Sequence, residues 1–196
     1  MLMPVSRCRG FTMIELMISL AILAILLVLA APAYTIWIAD SQIKAGVESV
    51  ADGLRFAQGE ALKQNLQVEF VLDMTTPPGR WDVNEVGGAT LRSGAFTEGA
   101  DKVTIAATPN AGTKNAVTFN GIGEIVKPNP AGGSVAGKDP FRRIDVSSVV
   151  GDTHPLRVAV GSTAIGASPG RRIKICDPAA AAQFGAGDPK ACPADN

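Results

Sequence analysis

A chain of 196 residues, 46% hydrophobic and 18% charged, has the composition of one small globular domain with an unusually apolar segment added. Its 18 basic and 18 acidic side chains balance, which excludes a chain that binds polyanions through overall charge. One histidine and three cysteines leave little from which to build a metal site.

Residues 1–10 carry Arg7 and Arg9 and no acid. Behind them begins an apolar run with one charged side chain near its head, Glu15, and no other until Asp40, roughly 24 residues on, enough for a helix to cross the hydrocarbon of a bilayer. The basic leader predicts that the N-terminus stays in the cytoplasm and that everything after Ile38 is carried across. An acid inside such a run costs about 2.5–3.5 kcal/mol at the bilayer centre, so Glu15 requires a use. Three processings fit the segment: a signal peptide cut after Ala31-Pro32-Ala33, an uncut anchor, or a cut after Gly10 that leaves the apolar run as the new N-terminus.

Gly10-Phe11-Thr12-Met13-Ile14-Glu15-Leu16 resembles the prepilin cleavage motif of type IV pilins and type II secretion pseudopilins, and the likeness extends through Met17 to Ala33, with Pro32 inside the apolar helix. The resemblance implies cleavage after Gly10 and N-methylation of Phe11 by a membrane-embedded prepilin peptidase. It also implies that Glu15 meets the positive N-terminal amine of a neighbouring subunit during assembly. Phe11 and Glu15 stand one helical turn apart, and opposite charges out of water favour one another.

From Asp40 the pattern turns amphipathic. Ile43, Val47, Val50, Leu54, Ala57 and Ala61 form one helical stripe, with Lys44, Glu48, Asp52, Arg55 and Lys63 mostly off it. No Gly/Pro cluster separates the two halves, and Pro32 is tolerable in a membrane helix. One helix is therefore predicted over 11–65, its half at 11–38 a transmembrane or filament-core stem.

At Gln67 the period becomes two: Val68, Phe70, Leu72 and Met74 alternate with Gln67, Glu69, Val71 and Asp73, and Thr76-Pro77-Pro78-Gly79 then turns the chain. Further short strands are predicted at 80–83, 103–106, 117–120, 124–126, 143–146, 156–160 and 171–176, with a long surface loop at 127–140. Helix first and strands after predict an α+β fold, a long N-terminal helix packed on a small, mainly antiparallel β-sheet domain over 66–196, which is also the pilin-like architecture.

Within the superfamily the chain is most similar to the GspH/FimT type of minor pilin or pseudopilin. The residues that carry this are Leu54-Arg55-Phe56-Ala57-Gln58-Gly59-Glu60-Ala61 and Gly170-Arg171-Arg172-Ile173-Lys174-Ile175-Cys176-Asp177. A cut after Gly10 changes the 18 basic residues to 16 against 18 acidic ones, a formal charge of about −2, and removes Cys8. Cys176 and Cys192 then remain, an even count that suggests a disulfide in an oxidising compartment, two free thiols being the alternative. Arg171, Arg172 and Lys174 crowd the last predicted strand, with Lys190 beyond it and Arg142 and Arg143 elsewhere. The family's DNA-uptake members carry a Gly-Arg-x-Arg stretch near this point, from which Ile173 and Lys174 depart. Lysine keeps the charge but loses the bidentate fork. DNA contact through phosphates competes here with a plain solvated face.

An enzyme finds little to stand on. His154 is alone before Pro155, Gly121-Ile122-Gly123 lacks the third glycine of a dinucleotide fingerprint, and Asn120-Gly121 reads as a hairpin turn. No cofactor is implied. The expected protein is a non-enzymatic minor pilin of the inner membrane, its C-terminal domain in the periplasm before it enters a pilus. Its partners would be other pilins or pseudopilins, the peptidase and an inner-membrane assembly platform. A pilus-displayed DNA-binding subunit and a minor pseudopilin of type II secretion are the alternatives.

Overall fold

The computed structural model describes residues 10–76, 79–96, 103–161, 173–184 and 188–192. The leader before Gly10 and the expected basic pair Arg171 and Arg172 lie outside them.

Helix α1, Met13–Gln64, runs unbroken for 52 residues, about 78 Å at 1.5 Å per residue. It opens on a capping box: the Thr12 hydroxyl accepts from the Glu15 backbone N–H at 3.3 Å, and the Thr12 N–H donates to Glu15 Oε2 at 3.5 Å. It closes at Asn65, whose left-handed φ of 54° ends the helix as asparagine can. All six residues of the predicted stripe are buried, together with Ala39, Gly46, Ala51 and Gly53.

Eight strands follow: β1 Val68–Asp73, β2 Arg80–Glu85, β3 Thr90–Ala95, β4 Val103–Thr108, β5 Lys114–Phe119, β6 Arg143–Ser148, β7 Leu156–Val160 and β8 Ile173–Cys176. A short helix, α2 (Ala180–Phe184), stands in the C-terminal segment, with Ala180 fully buried. The strands form two four-stranded antiparallel sheets, ordered β3-β2-β1-β5 and β4-β6-β7-β8. Both lie against α1, and their shared core contains Phe70, Leu72, Phe119, Phe141, Ile144 and Leu54.

Three sequence expectations are corrected. β3 was not foreseen: Thr-Leu-Arg-Ser-Gly-Ala is mostly exposed and gains its strand form by pairing with β2. Residues 124–126 form no strand but a single bridge, Phe119 to Ile125. Asn120 organises the turn before it, its side-chain oxygen accepting from the N–H groups of Ile122 and Glu124, and Pro128, which has no N–H, stands just after it. The loop at 127–140 does not simply skirt the surface but folds over the outer face of the first sheet. Ser134 donates its N–H and hydroxyl to the buried Glu69 carboxylate at 2.9 and 2.6 Å, and Val135 packs on Val71 and Ala116. That cover explains why β1 is buried on both faces despite its alternating sequence.

Trp81 shows how tightly the helix and first sheet meet. Its ring stacks on Phe70 with centroids 5.8 Å apart, and its Nε1–H donates to Ser49 Oγ on the helix at 2.9 Å. A Cβ on Gly53 would stand 2.7 Å from the Phe70 ring and 3.0 Å from Trp81. One on Gly94 would stand 2.4 Å from the indole. These two glycines make room for the aromatic pair.

Candidate functional site

The site that the motif points to is the head of α1. Phe11 is 83% exposed, and a Cβ on Gly10 would meet nothing within 4 Å, so the fold itself makes no steric demand for glycine there. Glu15 serves the capping box of its own helix, which places its carboxylate beside the chain start that a cut after Gly10 would create. Gly10, Phe11 and Glu15 are thus brought together on one accessible turn.

Behind them the stem is bare. An 18-residue window of α1 has a mean hydropathy of 2.8 with none of it buried, and Leu16, Leu20, Leu23 and Leu27 are all more than half exposed. By length and composition the segment can cross a membrane. Cover begins at Ile36 and Ile38, which are half-buried, and Ala39 is the first fully buried residue of the helix. One residue further, the Asp40 carboxylate accepts from the His154 backbone N–H at 2.9 Å and lies 3.1 Å from its Nδ1. Burial pushes the Asp40 carboxyl up, but the His154 backbone and ring and the Lys44 charge outweigh it and hold it below its ordinary value. The lone histidine is therefore a tie between the β6–β7 connection and the helix. Among the described residues no group of three or more His, Cys, Asp or Glu gathers as it would around a metal ion.

At the other end of the chain Cys176 and Cys192 are bridged, their Cα atoms 5.0 Å apart. Asp177 pairs with Ala191, and the Lys174 ammonium donates to the Ala191 carbonyl at 2.8 Å. Ile173 and Ile175 pack toward the core, so strand alternation gives Lys174 the outer face. Its charge secures the disulfide loop rather than standing clear in solvent.

Strand register assembles cations that sequence spacing did not. Arg143 on β6, Ala159 on β7 and Lys174 on β8 form one row of the second sheet, next to the Asp145–Arg157 pair, where Arg157 Nε donates to Asp145 Oδ1 at 2.5 Å. At the end of that row a cavity of 340 Å³ is lined by Thr108, Pro109, Lys127, Asp139, Pro140, Arg142 and Arg143. Only the pairing of β6 with β4 and the return of the 127–140 loop bring these residues together, and no local pattern signals it.

Comparison with known proteins bears on the same regions. Residues 5–31 match the prokaryotic N-terminal methylation motif. The chain is 41% identical over 93 residues to a type IV major fimbrial protein FimA of Dichelobacter nodosus, a stretch that is 47% of this chain and 57% of that protein. Other fimbrial proteins of the same organism are 53% identical over 55 residues, covering 28% of this chain and 34% of theirs. The chain thus spans little more than half the length of the first of these relatives and about a third of the others. No solved structure matches it significantly.

Proposed function

We propose that the chain is a type IV pilin-like protein and, more narrowly, a minor type IV pilin, cut after Gly10 and N-methylated at Phe11 by a prepilin peptidase. It then joins other pilins at an inner-membrane assembly platform and takes part in starting or building a pilus. The carrying observation is the bare stem headed by Glu15: within its own fold residues 11–35 of the apolar half have no cover, and a lipid bilayer followed by a filament core supplies one. Glu15 is the acid that meets the N-terminal amine of a neighbouring subunit. Because Gly10 has open space around it, its identity serves the peptidase rather than the fold.

The relatives are named as fimbrial proteins, structural subunits rather than enzymes, and we extend that to this chain. The first of them is named as a major subunit. The minor role proposed here rests instead on the GspH/FimT-like segments Leu54–Ala61 and Gly170–Asp177. DNA display gains no support from Lys174, which is engaged by Ala191, and Arg171 and Arg172 lie outside the described residues. A pseudopilin role in type II secretion shares every feature of the stem.

Mass spectrometry of the mature protein tests the processing: it should begin at N-methylated Phe11, and a start at Tyr34 or an intact leader overturns it. Glu15→Ala should leave that cut in place and prevent incorporation into filaments. Deletion of the gene should reduce piliation, whereas loss of exoprotein release with piliation intact would assign the chain to a secretion machine.

A further inference from the structure

Beyond Trp37, the large apolar side chains that stand exposed among the described residues are Leu62, Leu66, Ile122 and Val149. Leu62 and Leu66 mark the far end of α1, and Ile122 is on the turn whose Gly123 lies over Leu62. Val149, 75% exposed and the barest of the four, lies at the opposite end.

Its height follows from two contacts. A Cβ on Gly46 of the helix would touch Val146 of β6 at 3.6 Å, and His154, returning toward β7, is tied to Asp40. Between them the strand advances from Val146 to Val149, about 10 Å at 3.3 Å per residue, and the helix recedes from Gly46 to Asp40, about 9 Å at 1.5 Å per residue. The tip of the β6–β7 hairpin is therefore level with Asp40. Asp152, at a φ of 59°, turns the chain there.

The stem sets where a bilayer would end. Tyr34 and Trp37, both exposed, stack with centroids 6.2 Å apart, and such amphipathic rings favour the headgroup level. Glu15 and Trp37 are separated by about 33 Å of helix, close to the roughly 30 Å of hydrocarbon between the two interfaces. Asp40 is only about 4.5 Å beyond Trp37. The headgroup region is about 5–7 Å deep on each side, so the hairpin tip falls inside it.

We propose that the β6–β7 hairpin, with Val149 at its head, rests in the headgroup layer of the membrane that holds the stem, so that the domain is seated on the lipid surface by a second contact besides its helix. The Asp40–His154 tie holds the hairpin at that height. This rests on the reading of the stem as a membrane anchor, and the test separates the two.

Full-length protein is placed in phosphatidylcholine vesicles whose acyl chains are brominated near the headgroup end, at a low protein-to-lipid ratio. In the parent, Trp37 should be quenched while Trp81, buried in the domain core, is not. In a Trp37→Phe background, Val149→Trp should add emission quenched about half as strongly as Trp37 or more, as an interfacial ring would be. Ile122→Trp, at the far end, should add emission that is not quenched. Quenched Trp37 with unquenched emission from Val149→Trp overturns the seating and leaves the anchor intact. Unquenched Trp37 in the parent overturns both. Quenching from Val149→Trp that appears only as protein is concentrated in the vesicles assigns the hairpin to a second copy of the chain and overturns the lipid contact.

Discussion

The two halves of α1 are one continuous helix with opposite relations to the rest of the chain. In the second half a stripe from Ile43 to Ala61 is sealed against two sheets, while in the first half every large apolar side chain before Ile36 is exposed and only Ile36 and Ile38 are half-buried. Tertiary packing within the chain therefore stabilises one half only, and the other depends on what surrounds the molecule. An apolar stripe with a polar back faces its own domain. An apolar surface all round needs a different solvent.

The largest test of this contrast is paired. In detergent, Leu54→Ala should destabilise domain unfolding by about 2–5 kcal/mol, the cost of a cavity at a fully buried site, whereas Leu23→Ala should leave the same transition unmoved. Equal losses in chemical denaturation would mean that the stem packs on the domain. Removing the bridge with Cys176→Ser and Cys192→Ser should cost about 3 kcal/mol, because a loop closed over 16 residues is released in the unfolded chain. A midpoint shift under reducing conditions of the same size in the parent would corroborate it.

Gly53→Ala sharpens the comparison from within the helix. Alanine is the better helix former by about 1 kcal/mol, yet here it drives a methyl into Phe70 and Trp81, and overpacking of about 1–3 kcal/mol should win. Gly59→Ala, on the same helix with open space, should stabilise slightly, and circular dichroism melts of the two variants should move in opposite directions.

The smallest effect is on pH. Asp73 is brought down to about 2 by the Thr75 hydroxyl and N–H, against burial, with Lys114 helping, and Asp40 is held below its usual value by His154. Both folded values lie below the unfolded ones. Their contribution is complete above about pH 4, the unfolded value, and is lost as pH falls, for Asp73 through about 2. Thr75→Val should flatten the acid limb of a stability profile, and an unchanged limb would remove Asp73 as a cause.

The parts that were legible in the sequence are those with a local period. The 3.6-residue stripe located the buried face of α1 residue by residue, and the alternation at 68–74 located β1. β3 was illegible because its residues have no strand signature, and it exists as an edge that β2 orders. The reach of Lys174 to Ala191 and the gathering of Lys127, Arg142 and Arg143 were illegible because neither partner advertises the other.

The sequence alone determined that this chain carries a glycine, an aromatic residue and a single acid at the head of an apolar run, followed by an amphipathic stripe. Those are statements about neighbours in the chain, and local composition suffices for them. Only the tertiary structure decided that the strands divide into two sheets, that Trp81 needs two glycines, and that His154 meets Asp40 from 114 residues away. Such contacts depend on which distant strands pair and in what register, and the energy that selects them is summed over the whole core rather than written at any one position.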